Sequence, residues 1–289
     1  MKVLITGSNG QLGSEIRDLY TNYEKIEFFF KDLPELDISD ADSVSTLIIN
    51  KRINVVINCA AYTAVDKAEE NIEIAERVNS IGVSNIVEAL EKVNGKLIHI
   101  STDYVFDGNN SQPYRESDPV NPIGIYGKTK RAGELAVIKS KIDAIVIRTS
   151  WLYSSFGNNF LKTMLRLGKQ QESINVVSDQ IGTPTYARNL AKICLDILQI
   201  SDLEKISDKG KIYHYSNKGV ASWYDFAVLI MEIAELNCKV SPILTKDYPT
   251  LSKRPHYSVL SKEKIKTDFN IDIPLWEESL NECIIKLKE

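Results

Sequence analysis

The chain has 289 residues, with 39 acidic against 35 basic side chains, a formal net charge of −4 and 43% hydrophobic residues. That length can bury a full core and hold one large α/β domain with a smaller lobe, and no basic cluster marks it for nucleic acid or an anionic membrane surface. No apolar run approaches the roughly 20 residues of a bilayer span, and the first run is too short for the apolar core of a signal peptide. The expected compartment is the cytoplasm and the expected partners are small molecules.

The first predicted strand, 2–6, reads as buried and parallel through Val3, Leu4 and Ile5, and it runs into a Gly7-x-x-Gly10-x-x-Gly13 turn and a helix. Glycines so placed let the backbone turn tightly, approach a pyrophosphate and pack the helix on the sheet, with helix N-terminal amides facing the phosphates. The next apolar run, 26–30, ends near Asp32, close to where a ribose-binding acid is expected.

Further strand-length runs at 55–58, 96–101 and 144–148 alternate with amphipathic stretches. This βαβ rhythm predicts an α/β protein with a Rossmann-like, doubly wound parallel sheet over 1–150. Beyond 150 the rhythm loosens around turns at Gly157-Asn-Asn, Gly182-Thr-Pro and Lys209-Gly, between predicted helices 186–199 and 223–236. A smaller, mainly substrate-binding lobe is expected over 151–289, with some elements returning to the first domain. The short run 262–266 reads as a solvated charged face. Cys59, Cys194, Cys238 and Cys283 are scattered without C-x-x-C spacing and read as buried free thiols. His99, His214 and His256 show no metal-ligand pattern.

Ligand sites in open α/β sheets form at the carboxyl ends of strands, which here places Ser8–Leu12, Ala60-Ala-Tyr-Thr63 and Ser101-Thr-Asp103 together. Downstream, Tyr126-Gly-Lys-Thr-Lys130 sets a phenol and an ammonium four residues apart, neighbours on a helix face. A neighbouring cation favours phenolate and lowers a tyrosine pKa, fitting the pair for proton transfer. The motif occurs once among 13 tyrosines, and its position after a strand ending in Ser101-Thr102-Asp103 carries more weight than its occurrence.

The glycine turn, the hydroxyl after the fourth strand and Tyr126-x-x-x-Lys130 together resemble an extended short-chain dehydrogenase/reductase. Longer strings narrow the resemblance: Asn58-Cys-Ala-Ala-Tyr-Thr-Ala-Val-Asp-Lys-Ala-Glu69, Ser101-Thr-Asp-Tyr-Val-Phe-Asp-Gly108, Arg148-Thr-Ser-Trp-Leu-Tyr153, Gly157-Asn-Asn-Phe160 and Asp179-Gln-Ile-Gly-Thr-Pro-Thr185. They are similar to the dTDP-4-dehydrorhamnose reductases over nearly the whole chain, to the Arg254-Pro255 region and more loosely to the Trp276 helix. The resemblance implies hydride transfer from NADPH or NADH to C4 of dTDP-4-dehydro-L-rhamnose.

It further implies a catalytic set of Thr102, Tyr126 and Lys130, with Tyr126 protonating the developing alkoxide. Lys130 holds the nicotinamide ribose and Thr102 bonds the substrate near the same oxygen. The implied cofactor contacts are Gly7, Gly10, Gln11, Leu12 and Gly13 in the turn, Asp32, Asp37 and Ile38 on the adenine side, and Ala61, Tyr62 and Thr63, with Tyr126 and Lys130. Asp32 suits the free ribose of NADH and adjacent Lys31 the 2′-phosphate of NADPH, so the preferred nicotinamide stays open. Implied substrate contacts are Thr102, Asp103, Tyr126, Trp151, Asn159 and Arg254, with Asn158 and Gln180 inside matching strings. Trp151 reads equally as core packing and Arg254 equally as a solvated surface residue.

Some members of the family bind magnesium between two subunits through glutamates. Here Glu15 is present, but the second position holds Arg188, which repels a cation, so no metal is expected; the chain is expected to be a monomer or a homodimer. Three alternatives share the fold. A nucleotide-sugar dehydratase usually carries Asp-Glu after the threonine, whereas Asp103 is followed by Tyr104. An epimerase stays open on the triad alone, though the long strings oppose it. The non-catalytic, cofactor-binding regulatory subunit of methionine adenosyltransferase is resembled through Tyr104–Gly108, Pro113-Tyr-Arg-Glu116 and Tyr126–Lys130. It typically has serine where Thr102 stands and lacks the later strings.

Overall fold

The computed structural model describes residues 1–199 and 211–288; the expected Lys209-Gly turn lies outside them. Six strands form the central sheet: β1 Lys2–Thr6, β2 Glu27–Lys31, β3 Val55–Asn58, β4 Lys96–Thr102, β5 Ala144–Thr149 and β6 Lys211–His214. All pairings are parallel and the order is β2-β1-β3-β4-β5-β6. The chain therefore winds outward in both directions from the crevice between β1 and β3, where the strand order reverses and ligands bind in such sheets.

Burial on both faces explains the apolar strands. Along β1, Val3 and Ile5 enter one core with Leu12 and Ile16 of helix α1 (Gln11–Leu19), while Leu4 enters the other with Val44 and Ile48 of α2 (Ala41–Lys51) and Ile86 of α3 (Gly82–Glu91). Successive side chains point to opposite faces, so one short hydrophobic run serves two cores. Four of the five expected strands differ from the observed ones by only a residue at an end or in none at all, and β2 is displaced by one. β6, which no apolar run announced, comes from the second half of the chain and completes the first sheet beside β5.

α4 (Ile125–Lys139) carries the Tyr126-x-x-x-Lys130 pair. The second lobe is built from α5 (Phe160–Gln170), a parallel pair of strands Ser173–Val177 and Lys239–Ile243, α7 (Trp223–Ile233) and α8 (Trp276–Lys288) around Tyr153, Leu161, Phe226 and Trp276. Between them, α6 (Ala187–Gln199) returns to pack its Leu190 and Cys194 with Ile16 of α1 in the first core. α7 stops short of residue 236 because Glu235 turns into the left-handed region, φ 55°. The 262–266 run is no free charged face: Ile265 is fully buried and Lys264 lies over the Tyr213 ring, 4.5 Å from its centroid. Cys194, Cys238 and Cys283 are buried free thiols, and half-buried Cys59 lines a cleft. Among the described residues no helix is long and apolar enough to cross a membrane.

Beneath the sheet's carboxyl end sits a buried ion pair. Glu134 of α4 and Arg148 of β5 meet through two bonds, Nε to Oε1 at 2.7 Å and Nη2 to Oε2 at 2.8 Å, with 0% and 1% exposure. The Ser101 hydroxyl donates to the same carboxylate at 2.6 Å and Arg131 at 2.7 Å, and the Arg148 guanidinium stands 5.1 Å from the Phe106 ring centroid. Burial raises the Glu134 pKa, but these donors outweigh it and hold the carboxyl below its ordinary value. Removing one partner of such a pair strands the other charge in the interior. Arg148→Ala is therefore expected to destabilise the fold by about 3–5 kcal/mol in urea denaturation, whereas Lys96→Ala, which removes a half-exposed pair with Asp143 at 3.5 Å, should cost less than about 1 kcal/mol.

Candidate active site

A cleft of about 1420 Å³ runs along the carboxyl ends of β1, β3, β4 and β5 and under the second lobe. At its nucleotide end the turn after β1 is held by a bond from the Gly10 amide to the Gly7 carbonyl at 3.1 Å. Gly7 has φ +63°, and a Cβ there would lie 2.6 Å from the Ala60 backbone; a Cβ at Gly13 would lie 2.5 Å from the Gly7 oxygen. The first glycine thus lets the β1 and β3 loops touch, and the third lets α1 start against its own turn. No side chain caps the α1 N-terminus, so its amides remain available to a phosphate.

Gly7, Gly10, Gln11, Leu12, Asp32, Asp37, Ile38, Ala61, Tyr62 and Thr63 all line the cleft. Gly13 does not appear on its wall, and its part is the packing just described. The Asp32 carboxylate accepts the Asn9 and Leu33 amides, both at 2.8 Å, and Lys31 turns to Glu35 at 3.5 Å. Asp37 accepts the amide and hydroxyl of Ser39 and pairs with Arg77 at 3.7 Å. Buried Asn79, which no motif flagged, clamps Tyr62 by accepting its amide at 2.9 Å and donating to its carbonyl at 3.1 Å. A glycine cradle, an uncapped helix end and a fixed acid beyond the second strand fit a dinucleotide.

At the chemical end, Thr102 closes β4 opposite Thr149 of β5, and Tyr126 and Lys130 face it from the first turns of α4. The Thr102 hydroxyl donates to Asp103 Oδ1 at 3.0 Å and its oxygen accepts the Tyr104 amide at 3.2 Å. Tyr126 departs from expectation: burial raises its pKa, with the negative charge of Asp103 and Tyr104 adding to the rise and only the Thr102 hydroxyl lowering it. The Lys130 ammonium points to the Ile100 carbonyl at 2.7 Å. Burial draws its pKa down to about 8 against the opposing pull of Glu134. The Tyr104 ring meets Tyr126 edge-on, centroids 5.4 Å apart.

At the far end Trp151, with φ 48°, stacks on Trp223 at 3.6 Å and 6°. Phe160 tilts against Trp223 at 4.6 Å, and all three line the cleft. Asn158, Asn159 and Gln180 line it too. Asn159 caps α5 by accepting the Lys162 amide at 3.0 Å, and its amide group donates to Gln11 Oε1 at 3.0 Å, tying the lobe to the glycine turn. Gln180 donates to the Thr245 hydroxyl at 3.1 Å. Arg254 is no solvated surface residue: it pairs with Asp66 at 2.5 Å and reaches the Tyr104 hydroxyl at 3.3 Å. Trp223, Tyr104 and Asp66 carried no functional signal beyond membership of, or distance from, a matching string.

Away from the cleft, wholly buried Glu15 accepts the Ser154 hydroxyl at 2.6 Å and faces Arg188 at 3.3 Å and Lys286 at 3.5 Å. Asp18 pairs with the same two cations, at 2.7 Å to Lys286. Two carboxylates already met by two cations do not suit a divalent ion, and among the described residues no group of three or more His, Cys, Asp and Glu is placed to hold a metal.

A doubly wound parallel sheet with a phosphate-binding glycine turn at β1, and a threonine, tyrosine and lysine converging past β4, defines a dinucleotide-binding protein of the short-chain dehydrogenase/reductase class. Within that class the chain belongs to the family described as RmlD substrate binding domain, whose model matches residues 1–289. It is 41% identical to the dTDP-4-dehydrorhamnose reductase of Aggregatibacter actinomycetemcomitans, over 96% of this chain and 97% of that one. It is 40% identical to the spore coat polysaccharide biosynthesis protein SpsK of Bacillus subtilis, over 98% and 96%. The crystal structure of a Bacillus anthracis dTDP-4-dehydrorhamnose reductase in complex with NADP superposes with a TM-score of 0.93 at 38% identity, covering 99% of both chains.

Two outcomes follow for dinucleotide binding, on the reading that Lys130 and Asp32 meet its two riboses. The Lys130 charge is present below about 8 and is lost as pH rises through that value, so dinucleotide affinity measured by fluorescence titration should fall above that pH. Asp32→Ala removes a carboxylate that would repel a 2′-phosphate, and the ratio of kcat/KM for NADPH over NADH should rise about tenfold, some 1.4 kcal/mol.

Proposed function

We propose that this chain reduces the C4 ketone of dTDP-4-dehydro-L-rhamnose to dTDP-L-rhamnose with NADPH or NADH, supplying an activated sugar for polysaccharide synthesis. The convergence of Thr102, Tyr126 and Lys130 at the sheet's carboxyl end carries this reading, and full-length similarity to reductases of that name supports it. The reduced nicotinamide supplies the hydride. Gly7, Gly10, Gln11 and Leu12 would hold its diphosphate at the α1 N-terminus, Asp32 its adenosine ribose, and Lys130 its second ribose.

The protein's own part is proton delivery and exclusion of water. A ketone receiving hydride becomes an alkoxide, a far stronger base than a phenolate. A Tyr126 phenol raised in pKa by burial stays protonated until that base appears, so its proton is present when needed. Thr102 would hold the same oxygen in line, and the Trp151, Trp223 and Phe160 rings would enclose the nucleotide sugar. Arg254, paired with Asp66, would meet the substrate as part of that pair and not as a lone cation.

Purified protein with dTDP-4-dehydro-L-rhamnose should oxidise NADPH or NADH stoichiometrically, followed by loss of nicotinamide absorbance; no oxidation with either would refute the reading. Tyr126→Phe should lower kcat about 10²–10⁴-fold while binding dinucleotide as tightly as the parent in fluorescence titration.

A further inference from the structure

One carboxylate outside the cleft joins two of its walls. Glu69, on the helix Val65–Glu70, accepts two bonds on a single oxygen, Oε1: the Ile125 amide at 3.0 Å and the Ser252 hydroxyl at 3.0 Å. Ile125 is the first residue of α4 and precedes Tyr126. Ser252 is 1% exposed and belongs to a segment without helix or strand whose Tyr248, Thr250 and Arg254 line the cleft. Asp66, three residues before Glu69 and on the same helix face, accepts the Ser252 amide at 3.1 Å and pairs with Arg254.

The first amides of a helix have no partner within it and are commonly met by an N-cap side chain. The N-cap of α4 is Gly124, which offers none. A Cβ there would lie 2.8 Å from Glu69 Oε1 and 2.9 Å from Ser252 Oγ, so a carboxylate from another element takes the place of the cap. Its negative charge also complements the positive end of the helix. Tyr126 stands in this first turn, the part of a helix that frays, about two turns away from the bonds that hold Glu134 to the sheet.

We propose that Glu69 is a positioning residue for the reduction: its one oxygen fastens the turn that carries the Tyr126 phenol to the segment that would cover the sugar, so that the two are seated together. The assignment rests on the reaction proposed above. Loss of the carboxylate releases both walls at once. Loss of the Ser252 hydroxyl releases the segment alone and leaves the helix capped. A displacement of the phenol on the order of 1 Å is enough to slow a reaction about 10²-fold.

Steady-state kinetics of the full chain separate this role from one in folding alone, provided that rates are expressed per dinucleotide-binding site counted by fluorescence titration. With dTDP-4-dehydro-L-rhamnose, Glu69→Ala should lower kcat at least about tenfold and raise the sugar KM at least about threefold. Ser252→Ala should raise that KM to a similar degree while kcat stays within about twofold of the parent. Glu69→Gln, whose amide oxygen can accept the same two bonds, should restore both constants to within about threefold of the parent. Unchanged constants per site in Glu69→Ala, a change in only one of them, or a Glu69→Gln variant as impaired as Glu69→Ala would overturn the assignment. If Glu69→Ala does not fold, the other two variants decide: an unchanged sugar KM in Ser252→Ala, or activity lost in Glu69→Gln, counts against it. Failure of the unaltered chain to oxidise either nicotinamide would instead overturn the proposed reaction.

Discussion

The Glu134–Arg148 pair is the constraint on which the placement of the active groups depends. Tyr126, Lys130 and Glu134 follow one another at intervals of four along α4, so they share one face and one orientation. Only Glu134 is bonded twice to the sheet, through Arg148 of β5 and Ser101 of β4. Because Ser101 precedes Thr102, the same carboxylate sets where α4 lies and how high Thr102 stands beside it. Apolar residues of like volume could hold a helix on a sheet about as strongly. They would not fix its rotation and height through directional bonds, and a proton-transfer site tolerates little error in either.

The network also reaches the part of the chain that the strand rhythm did not foresee. Arg148 Nη1 lies 3.4 Å from His214 Nε2 at the end of β6, and His214 contacts the Tyr114 carbonyl through Nδ1 at 3.1 Å. Burial holds His214 to about 3, with the Arg148 charge acting in the same direction. A neutral ring beside a buried guanidinium adds no second positive charge to an interior where Glu134 is already shared by two arginines. The sixth strand is thereby joined to the ion pair that orders the site, although it lies more than 60 residues beyond β5.

What could be read in the sequence followed from locality. Val3, Leu4 and Ile5 announce a strand because burial on two faces demands an unbroken apolar run, and the glycine turn announces a phosphate because few side chains fit its geometry. Tyr126 and Lys130 are legible since their spacing alone makes them neighbours. β6 was not, because Lys211-Ile-Tyr-His ends in two residues whose polar atoms are paired across the fold, Tyr213 with Asp268 and His214 with Tyr114. The partner of Arg254 is Asp66, 188 positions away, and no local pattern carries that distance. The direction of the Tyr126 shift was hidden for a similar reason: helical spacing counts the cation four residues on, whereas burial is the sum of contacts from β4, the Tyr104 turn and the helix at Val65–Glu70.

The three titratable groups of the site are shifted by one cause acting on different charges. Burial disfavours an ion of either sign, so it raises Tyr126 and Asp103 and lowers Lys130. Each is thereby pushed toward its neutral form, and of the three it is the Tyr126 phenol that keeps its proton on oxygen until a base stronger than a phenolate is generated beside it. A reduction makes that base only at the moment of hydride transfer. Had the same groups been exposed, the phenol would gain acidity but solvent would compete to protonate the alkoxide, and the position of the proton would no longer depend on Thr102. On the proposed reaction, enclosure by the second lobe, through the Asn159–Gln11 and Arg254–Asp66 contacts, would serve the chemistry as well as substrate recognition.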